Sequence, residues 1–362
     1  MQRLYLDANA TEPMRPEAIA AMADAMALPG NPSSVHAEGR AARRVLEEAR
    51  EAIAARFGGR GRDLVFTSGG TEANALAIRG LAAGRRLLVG ATEHPAVLAA
   101  AGSDAEVLPV LADGTLDLAA LEAALKAGGA ALVAVMAANN ETGVLHPIAA
   151  IAELCRTHGA LLHLDAVQMP GRLPFGLGPA DSLALSAHKL GGPKGVGALL
   201  LRPGLDPAPL LTGGGQESGR RGGTEALPAI AGFAAAALCP VPEGLGRLRD
   251  AIEAGVRALA PEVIIAGSAA PRLPNTTSLI LPGVAAETQV IALDLAGVAV
   301  SAGAACSSGK VRQSHVLAAM GFGAEAASAI RVSLPWNAPE DTAARFLAAW
   351  GAMREKLAAR KR

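Results

Sequence analysis

Between residues 63 and 202 short, continuously apolar runs recur between longer stretches whose apolar positions follow a helical spacing. The runs fall at 64–67, 87–90, 107–110, 132–136, 161–164, 183–186 and 198–201. Runs of this kind suit strands covered on both faces, and their alternation with amphipathic stretches predicts a largely parallel sheet flanked by helices. Helices are predicted at 71–83, 117–127 and 147–157, with Asp117 as an N-cap and Pro147 in a first helical turn. After Leu210 the alternation stops. Thr212-Gly213-Gly214-Gly215-Gln216, with Arg220, Arg221, Gly222, Gly223 and Thr224 behind it, predicts a structured loop. From about residue 236 a second unit is predicted, with a helix at 243–259, a strand at 276–281, a helix at 286–295, a strand at 330–334 and a terminal helix after Pro339.

The length of 362 residues exceeds the usual single core and favours two domains. Hydrophobic residues make up 51% of the chain, enough for a sizeable core, but aromatic residues only 2%, which argues against stacking platforms for single-stranded nucleic acid. With 33 basic and 33 acidic residues there is no net charge to steer the chain toward nucleic acid or a membrane. The N-terminus lacks a charged region followed by an apolar core, and no apolar run approaches the roughly 20 residues of a membrane helix. Cys155, Cys239 and Cys306 are too few and too odd in number for a disulfide framework, so a reducing cytoplasm is expected.

Chemistry concentrates at predicted strand ends. The run 181–186 leads into Ala187-His188-Lys189, and a lysine at a strand end is a candidate Schiff-base former. Lys194, five residues on, competes for that role; Lys189 is nearer the strand and follows Ser186 and His188, two groups suited to a phosphate. Ser68-Gly69-Gly70-Thr71-Glu72 joins a strand to a helix, where free amides and the helix dipole suit an anion; a plain glycine turn with a threonine cap is the commoner meaning of such a stretch. Asp165 ends the run 160–164, at the sheet edge where open α/β folds bind ligands. Facing a pyridine nitrogen it would keep the ring protonated and electron-withdrawing; capping a helix is the alternative. His94 follows another strand end, suited to stacking on a planar ring and moving protons. His36, His146, His158 and His163 read as structural or undetermined, and no His/Cys cluster has a metal spacing. Arg331 sits within an apolar strand and needs a carboxylate, either the protein's own or a substrate's. Cys306 lies among small residues at 301–310, a thiol that can be reached and can move.

Together these motifs are specific. Leu6-Asp7-Ala8-Asn9-Ala10-Thr11, Asn31-Pro32-Ser33-Ser34-Val35-His36, residues 67–74, Thr92-Glu93-His94, Asn139-Asn140-Glu141-Thr142-Gly143, His163-Leu164-Asp165-Ala166-Val167-Gln168, residues 186–189 and Ala305-Cys306-Ser307-Ser308-Gly309 occur in the order seen in cysteine desulfurases. Over nearly its whole length the chain resembles the NifS/IscS-type members of the class V aminotransferase family. Ala187 stands where many relatives have glycine, and Pro335 follows Ser333-Leu334 where glycine is common.

The resemblance implies an α/β, fold-type-I pyridoxal 5'-phosphate enzyme, normally a homodimer. It implies a large domain at 13–235, with a mostly parallel sheet, and a smaller α/β domain of 1–12 and 236–362 that carries the cysteine loop. By position, Lys189 binds the cofactor covalently, Asp165 pairs with its ring nitrogen, His94 stacks on the ring, and Asn140 and Gln168 contact its oxygen substituent. Gly70, Thr71, Ser186 and His188 hold the phosphate, with Thr224 from the neighbouring subunit; Arg331 binds the carboxylate of L-cysteine, assisted by Asn140. Cys306 takes the sulfur as a persulfide for a sulfur acceptor or iron–sulfur scaffold protein, and is a candidate transient ligand to an iron–sulfur species; no resident metal is expected. An ordinary thiol with a pKa near 8.5 is only a few per cent thiolate at neutral pH, so a histidine proton acceptor is useful. Ten extended residues reach at most about 33 to 36 Å, so distance does not limit the cysteine. Rival readings are a selenocysteine lyase or another class V enzyme, and, outside enzymes, a sulfur carrier or redox-sensing thiol protein.

Overall fold

The computed structural model describes residues 3–303 and 313–360; Cys306 lies outside them. The main sheet has seven strands in the order Leu64–Thr67, Gly197–Leu201, Ser182–Ser186, Leu161–Asp165, Ala131–Met136, Arg86–Gly90 and Glu106–Leu108. Gly197–Leu201 runs antiparallel to both neighbours, which leaves the other strands pointing the same way. Their C-terminal ends therefore share one edge, the edge where such sheets take ligands.

Why these segments are strands shows in their burial. Val65, Leu132 and Leu199 pack into one core, while their neighbours Leu64, Val133 and Leu200 pack into another on the opposite face. Alternate side chains of a strand point to opposite faces, so a sheet covered on both sides needs unbroken apolar runs. The predicted strands agree with those observed to within a residue or two. The exception is 107–110, which ends at Leu108; Val110 instead forms a single bridge to Leu116.

The predicted helices are present as Gly70–Leu81, Leu118–Lys126 and Ile148–Thr157. Asp117 caps the second, its Oδ1 accepting from the amides of Ala119 and Ala120. Pro147 stands at the N-cap of the third, not inside its first turn, with a ψ of 67°. A position that donates no helical hydrogen bond loses nothing to proline. Pro16–Met26 and Ala37–Arg56 were not predicted; both pack on Leu227–Leu238 beneath the sheet. His36 is structural, capping Ala37–Arg56 by accepting from the amide of Gly39.

A second sheet runs antiparallel in the order Ser301–Ala302, Ala329–Ser333, Thr276–Ile280 and Ile264–Ile265. Helices Leu245–Leu259, Ala286–Leu295 and Thr342–Arg360 accompany it. Its core joins Ile252, Phe346 and Trp350 to Leu4 and Leu6 from the start of the chain. Leu4–Tyr5 also pairs in parallel with Val298–Ala299. Asp7, Asn9 and the residues after them thus cross from this core toward the C-terminal edge of the main sheet, where the Glu12 amide donates to the His188 carbonyl.

Candidate active site

A cavity of about 340 Å³ opens at the C-terminal edge of the main sheet and is lined by His94, Asp165, Gln168, Lys189 and Arg331 among others. Asp165 closes the strand Leu161–Asp165, and turns, not a helix, follow it, so its role is not that of an N-cap. Its Oδ2 accepts from Asn74 Nδ2 at 2.8 Å and its Oδ1 from the amide of Val167 at 3.0 Å. Asn74 therefore turns its Oδ1 toward His163, 2.9 Å from Nε2, and His163 Nδ1 lies 2.8 Å from Ser182 Oγ. Burial pushes the His163 pKa down to about 3, so the ring is neutral, donating from Nε2 and accepting at Nδ1. This buried chain of neutral groups fixes the direction of the Asp165 carboxylate. Burial also pushes the Asp165 pKa up, and His94 and Lys189 oppose that shift.

His94 follows the strand Arg86–Gly90 and caps Pro95–Ala101, its Nδ1 accepting from the amide of Ala96 at 3.1 Å. Burial lowers its pKa, with Asp165 opposing and Lys189 and His315 adding to the shift. At neutral pH the ring is uncharged. Behind it Glu93 is fully buried; its Oε1 accepts from the amide of Met136 at 2.8 Å, and Oε2 has no hydrogen-bond partner among the described residues. Burial, with Asp165 adding to the effect, raises the Glu93 pKa well above the usual carboxyl range.

Lys189 ends the short 3-10 turn Ala187–Lys189 after the strand Ser182–Ser186. Its Nζ donates to the carbonyls of Asn9 at 2.6 Å and Ala10 at 3.0 Å. Lys194 is exposed and lines an adjoining cleft, not the cavity. That cleft runs past Ser68 and Gly69 and past Gly70, Thr71, Ser186 and His188, four of the five residues expected at the phosphate. A Cβ on Gly70 would lie 2.6 Å from Val167 Cγ2, so the start of helix Gly70–Leu81 needs glycine to come this close to the sheet edge. His188 Nδ1 lies 3.1 Å from Thr11 Oγ1, and burial with nearby Lys189, Lys194 and Arg172 lowers its pKa to about 4. Thr224 is exposed and is not among the cavity's lining residues.

Arg331 enters from the second sheet. Its Nη2 donates to Asp7 Oδ1 at 2.7 Å and its Nη1 to the carbonyl of Asn140 at 3.0 Å, while the buried Nε has no partner among the described residues. Asp7 is thus a protein carboxylate on this arginine that the sequence did not reveal. Among the described residues Gln168 likewise uses only its Nε2, on the Asn9 carbonyl, and leaves its buried Oε1 unpaired. Two unfilled polar atoms at the cavity, a glycine-lined cleft for an anion beside it, and a carboxylate, a lysine and an arginine around it fit a small aromatic cofactor with a phosphate and an amino-acid substrate. Sequence reasoning did not single out Asn74, Asp7 or Asn9 for roles, although all three stand in its motifs.

The cysteines differ. Cys155 is buried in Ile148–Thr157, where burial pushes its thiol up to about 12; Cys239 follows Leu227–Leu238 half-buried, its pKa also raised by burial. Neither lines the cavity.

The aminotransferase class-V family model matches residues 4–346. A cysteine desulfurase of Cereibacter sphaeroides is 44% identical over 92% of this chain and 91% of its own. The solved NifS-like protein from Rickettsia africae superposes with a TM-score of 0.90 at 34% identity, over 98% of this chain and all 100% of that one. SspA, solved in complex with cysteine, has a TM-score of 0.82 at 30% identity, over 92% of this chain and 99% of its own.

Proposed function

This chain belongs to the aminotransferase class-V family, whose members depend on pyridoxal phosphate, and from that premise we propose that it is a cysteine desulfurase. L-cysteine gives up its sulfur to the thiol of Cys306, which becomes a persulfide, and leaves as L-alanine. The observation that carries this reading is that His94, Asp165, Lys189 and Arg331, far apart in sequence, line one cavity.

When bound, pyridoxal phosphate draws electrons from the substrate's α-carbon and so loosens the bonds around it. Everything else falls to the chain. Lys189 would hold the cofactor and would move a proton at the substrate's α-carbon. Asp165, aimed by Asn74, would hold the ring nitrogen and keep it protonated, since a nearby anion raises the proton affinity of a cationic partner. His94 would hold the ring, and Asn140 and Gln168 its oxygen substituent. The amides at Gly70 and Thr71, with Ser186 and His188, hold the phosphate at the positive end of a helix.

Arg331 takes the substrate carboxylate through the part of its fork that Asp7 and the Asn140 carbonyl leave free. On both sides of residues 304–312 the described chain adjoins the site. Ser314 Oγ donates to Glu141 Oε2 at 2.5 Å, and a Cβ on Gly303 would lie 3.4 Å from the same oxygen. Thr224 reaches the phosphate from the second subunit of a homodimer, and the persulfide sulfur passes to a sulfur-acceptor or iron–sulfur scaffold protein in the cytoplasm. The large unit is 13–235 and the smaller unit 1–12 with 236–362.

The test is release of L-alanine and sulfide from L-cysteine by the reconstituted protein under reducing conditions. Lys189→Ala is expected to lose both products and the cofactor's visible band, and Lys194→Ala to keep them. Retained turnover in Lys189→Ala would overturn the assignment.

A further inference from the structure

Asn9 is buried, 1% exposed, and each of its polar groups is engaged. Its Nδ2 donates to the Asn140 carbonyl at 3.1 Å and to Thr276 Oγ1 at 2.9 Å, and its Oδ1 accepts from Asn275 Nδ2 at 3.2 Å. Its amide donates to Ser333 Oγ at 3.0 Å. Its carbonyl accepts from Gln168 Nε2 at 3.1 Å and from Lys189 Nζ at 2.6 Å. The Asn140 carbonyl that takes the Asn9 side chain also takes Arg331 Nη1, at 3.0 Å. One residue therefore touches Lys189 through its backbone and, by way of a single shared oxygen, Arg331 through its side chain.

The chemistry of the amide makes this link stiff. A primary amide has two donor hydrogens and one oxygen, and here all three have partners, one on Asn140 and two on the adjacent Asn275 and Thr276, so rotating or flipping the group would break several buried bonds together. Those partners come from the Asn139–Asn140 turn after Ala131–Met136 and from the strand Thr276–Ile280, while Ser333 belongs to the strand that carries Arg331. The segment holding the lysine's acceptor is thus pinned to the same elements that hold the arginine.

We propose that Asn9 is a positioning residue that keeps the Lys189 amine and the Arg331 guanidinium in fixed register across the seam between the two sheets. This rests on the roles given above to Lys189 and Arg331. An amino acid whose nitrogen must meet the cofactor at Lys189 and whose carboxylate must meet Arg331 needs that separation set before it binds. Misplacement of reacting groups by about 1 Å can cost a hundredfold in rate.

The experiment uses the cofactor-loaded full chain with two readouts. The pH midpoint of the cofactor's visible band reports on Lys189. The dissociation constant of 3-mercaptopropionate, which has the carboxylate and thiol of cysteine but no amine, reports on Arg331. Asn9→Ala is expected to shift the band midpoint and to weaken 3-mercaptopropionate about three- to tenfold, the worth of one hydrogen bond at a buried site. Asn9→Asp keeps the shape but cannot donate to the Asn140 carbonyl, so it is expected to match Asn9→Ala in ligand affinity. A residue that only fills space would instead leave Asn9→Asp at the parent value.

Thr276→Val removes one acceptor of the Asn9 amide at nearly constant volume and decides the matter should Asn9→Ala melt near room temperature. It is expected to move both readouts the same way by a smaller factor. Parent-like values for both readouts in the folded variants would overturn the proposal. Lys189→Ala and Arg331→Ala run alongside: if they keep the band and the ligand, the functional reading fails, whereas if they lose them and the Asn9 variants are silent, only the inference about Asn9 fails.

Discussion

Arg50 and Arg331 are both buried and each meets a carboxylate, but their forks are filled differently. Arg50 places Nη1 and Nη2 on the two oxygens of Glu217 at 2.7 and 2.8 Å, adds the Leu64 carbonyl at 3.0 Å, and gives Nε to Glu47 at 3.1 Å. Glu217 completes the arrangement by accepting from the amide of Phe66 at 2.7 Å. Arg331 has one carboxylate contact and one carbonyl contact, keeps Nε unpaired, and lines the cavity. Arg172 is as buried as Arg331, both 2% exposed, and its Nε likewise has no partner among the described residues, but it does not line the cavity, so an open donor indicates binding only where it belongs to a cavity wall. A filled fork holds structure together; an open fork at a cavity is a place for an anion.

The largest effect is expected on the filled side. Glu217→Ala strips the buried Arg50 of its bidentate partner, leaving only the half-exposed Glu47 on Nε, and should cost about 3 kcal/mol of stability by denaturant unfolding, with the KM for L-cysteine of the folded fraction unchanged. Glu217 and Ser218 have φ of 50° and 57°, so this ion pair also holds the glycine-rich loop in a left-handed path that L-residues seldom take. Glu217→Gln keeps the shape without the charge and should fall between the two. A large rise in KM with unchanged stability would break the comparison.

The ligand side depends on neutral groups. The folded pKa values of His163 and His146 are pushed by burial to about 3 and about 4. Unfolded histidine titrates near 6.5, so below that pH the unfolded chain binds protons that the native chain refuses. Stability contributed by these rings is present above pH about 6.5 and is lost as pH falls toward the folded values, at up to about 1.4 kcal/mol per pH unit for each ring. His163→Gln should reduce that slope by about one proton's worth between pH 6 and pH 4, followed by urea unfolding. It should also shift the cofactor band, because the Asn74 amide that aims Asp165 loses its fixed donor. An unchanged slope would show that His163 is protonated in the native state.

The smallest effect is expected at the cysteines away from the cavity. Cys239→Ala should leave sulfur transfer intact, and Cys155→Ala should cost no more than about 1 to 2 kcal/mol of stability with activity retained. Labelled sulfur found on either residue by mass spectrometry would contradict the assignment to Cys306.

Much of the fold was legible because a sheet buried on both faces imposes unbroken apolar runs, and Lys189, Asp165 and His94 were legible because each follows such a run. Pro16–Met26 and Ala37–Arg56 were missed because they precede the first strand of the main sheet, outside the alternation that guided the assignment. Asp7 and Asn9 stood in a quoted motif, yet nothing local shows that they meet Arg331, Asn275 and Thr276 across more than 260 residues. Glu217 was similarly opaque. It lies in a glycine-rich loop where an acidic residue reads as exposed, and its burial follows from Arg50, 167 residues away.

The open fork of Arg331 is tested most directly by comparing L-cysteine with cysteamine, which keeps the amine and the thiol but lacks the carboxylate. The parent protein should strongly prefer L-cysteine in kcat/KM, and Arg331→Ala should lose about 10- to 100-fold on L-cysteine, the worth of a charge-assisted hydrogen bond, with little change on cysteamine. Equal losses on both compounds, or an undiminished preference for L-cysteine in Arg331→Ala, would contradict the account.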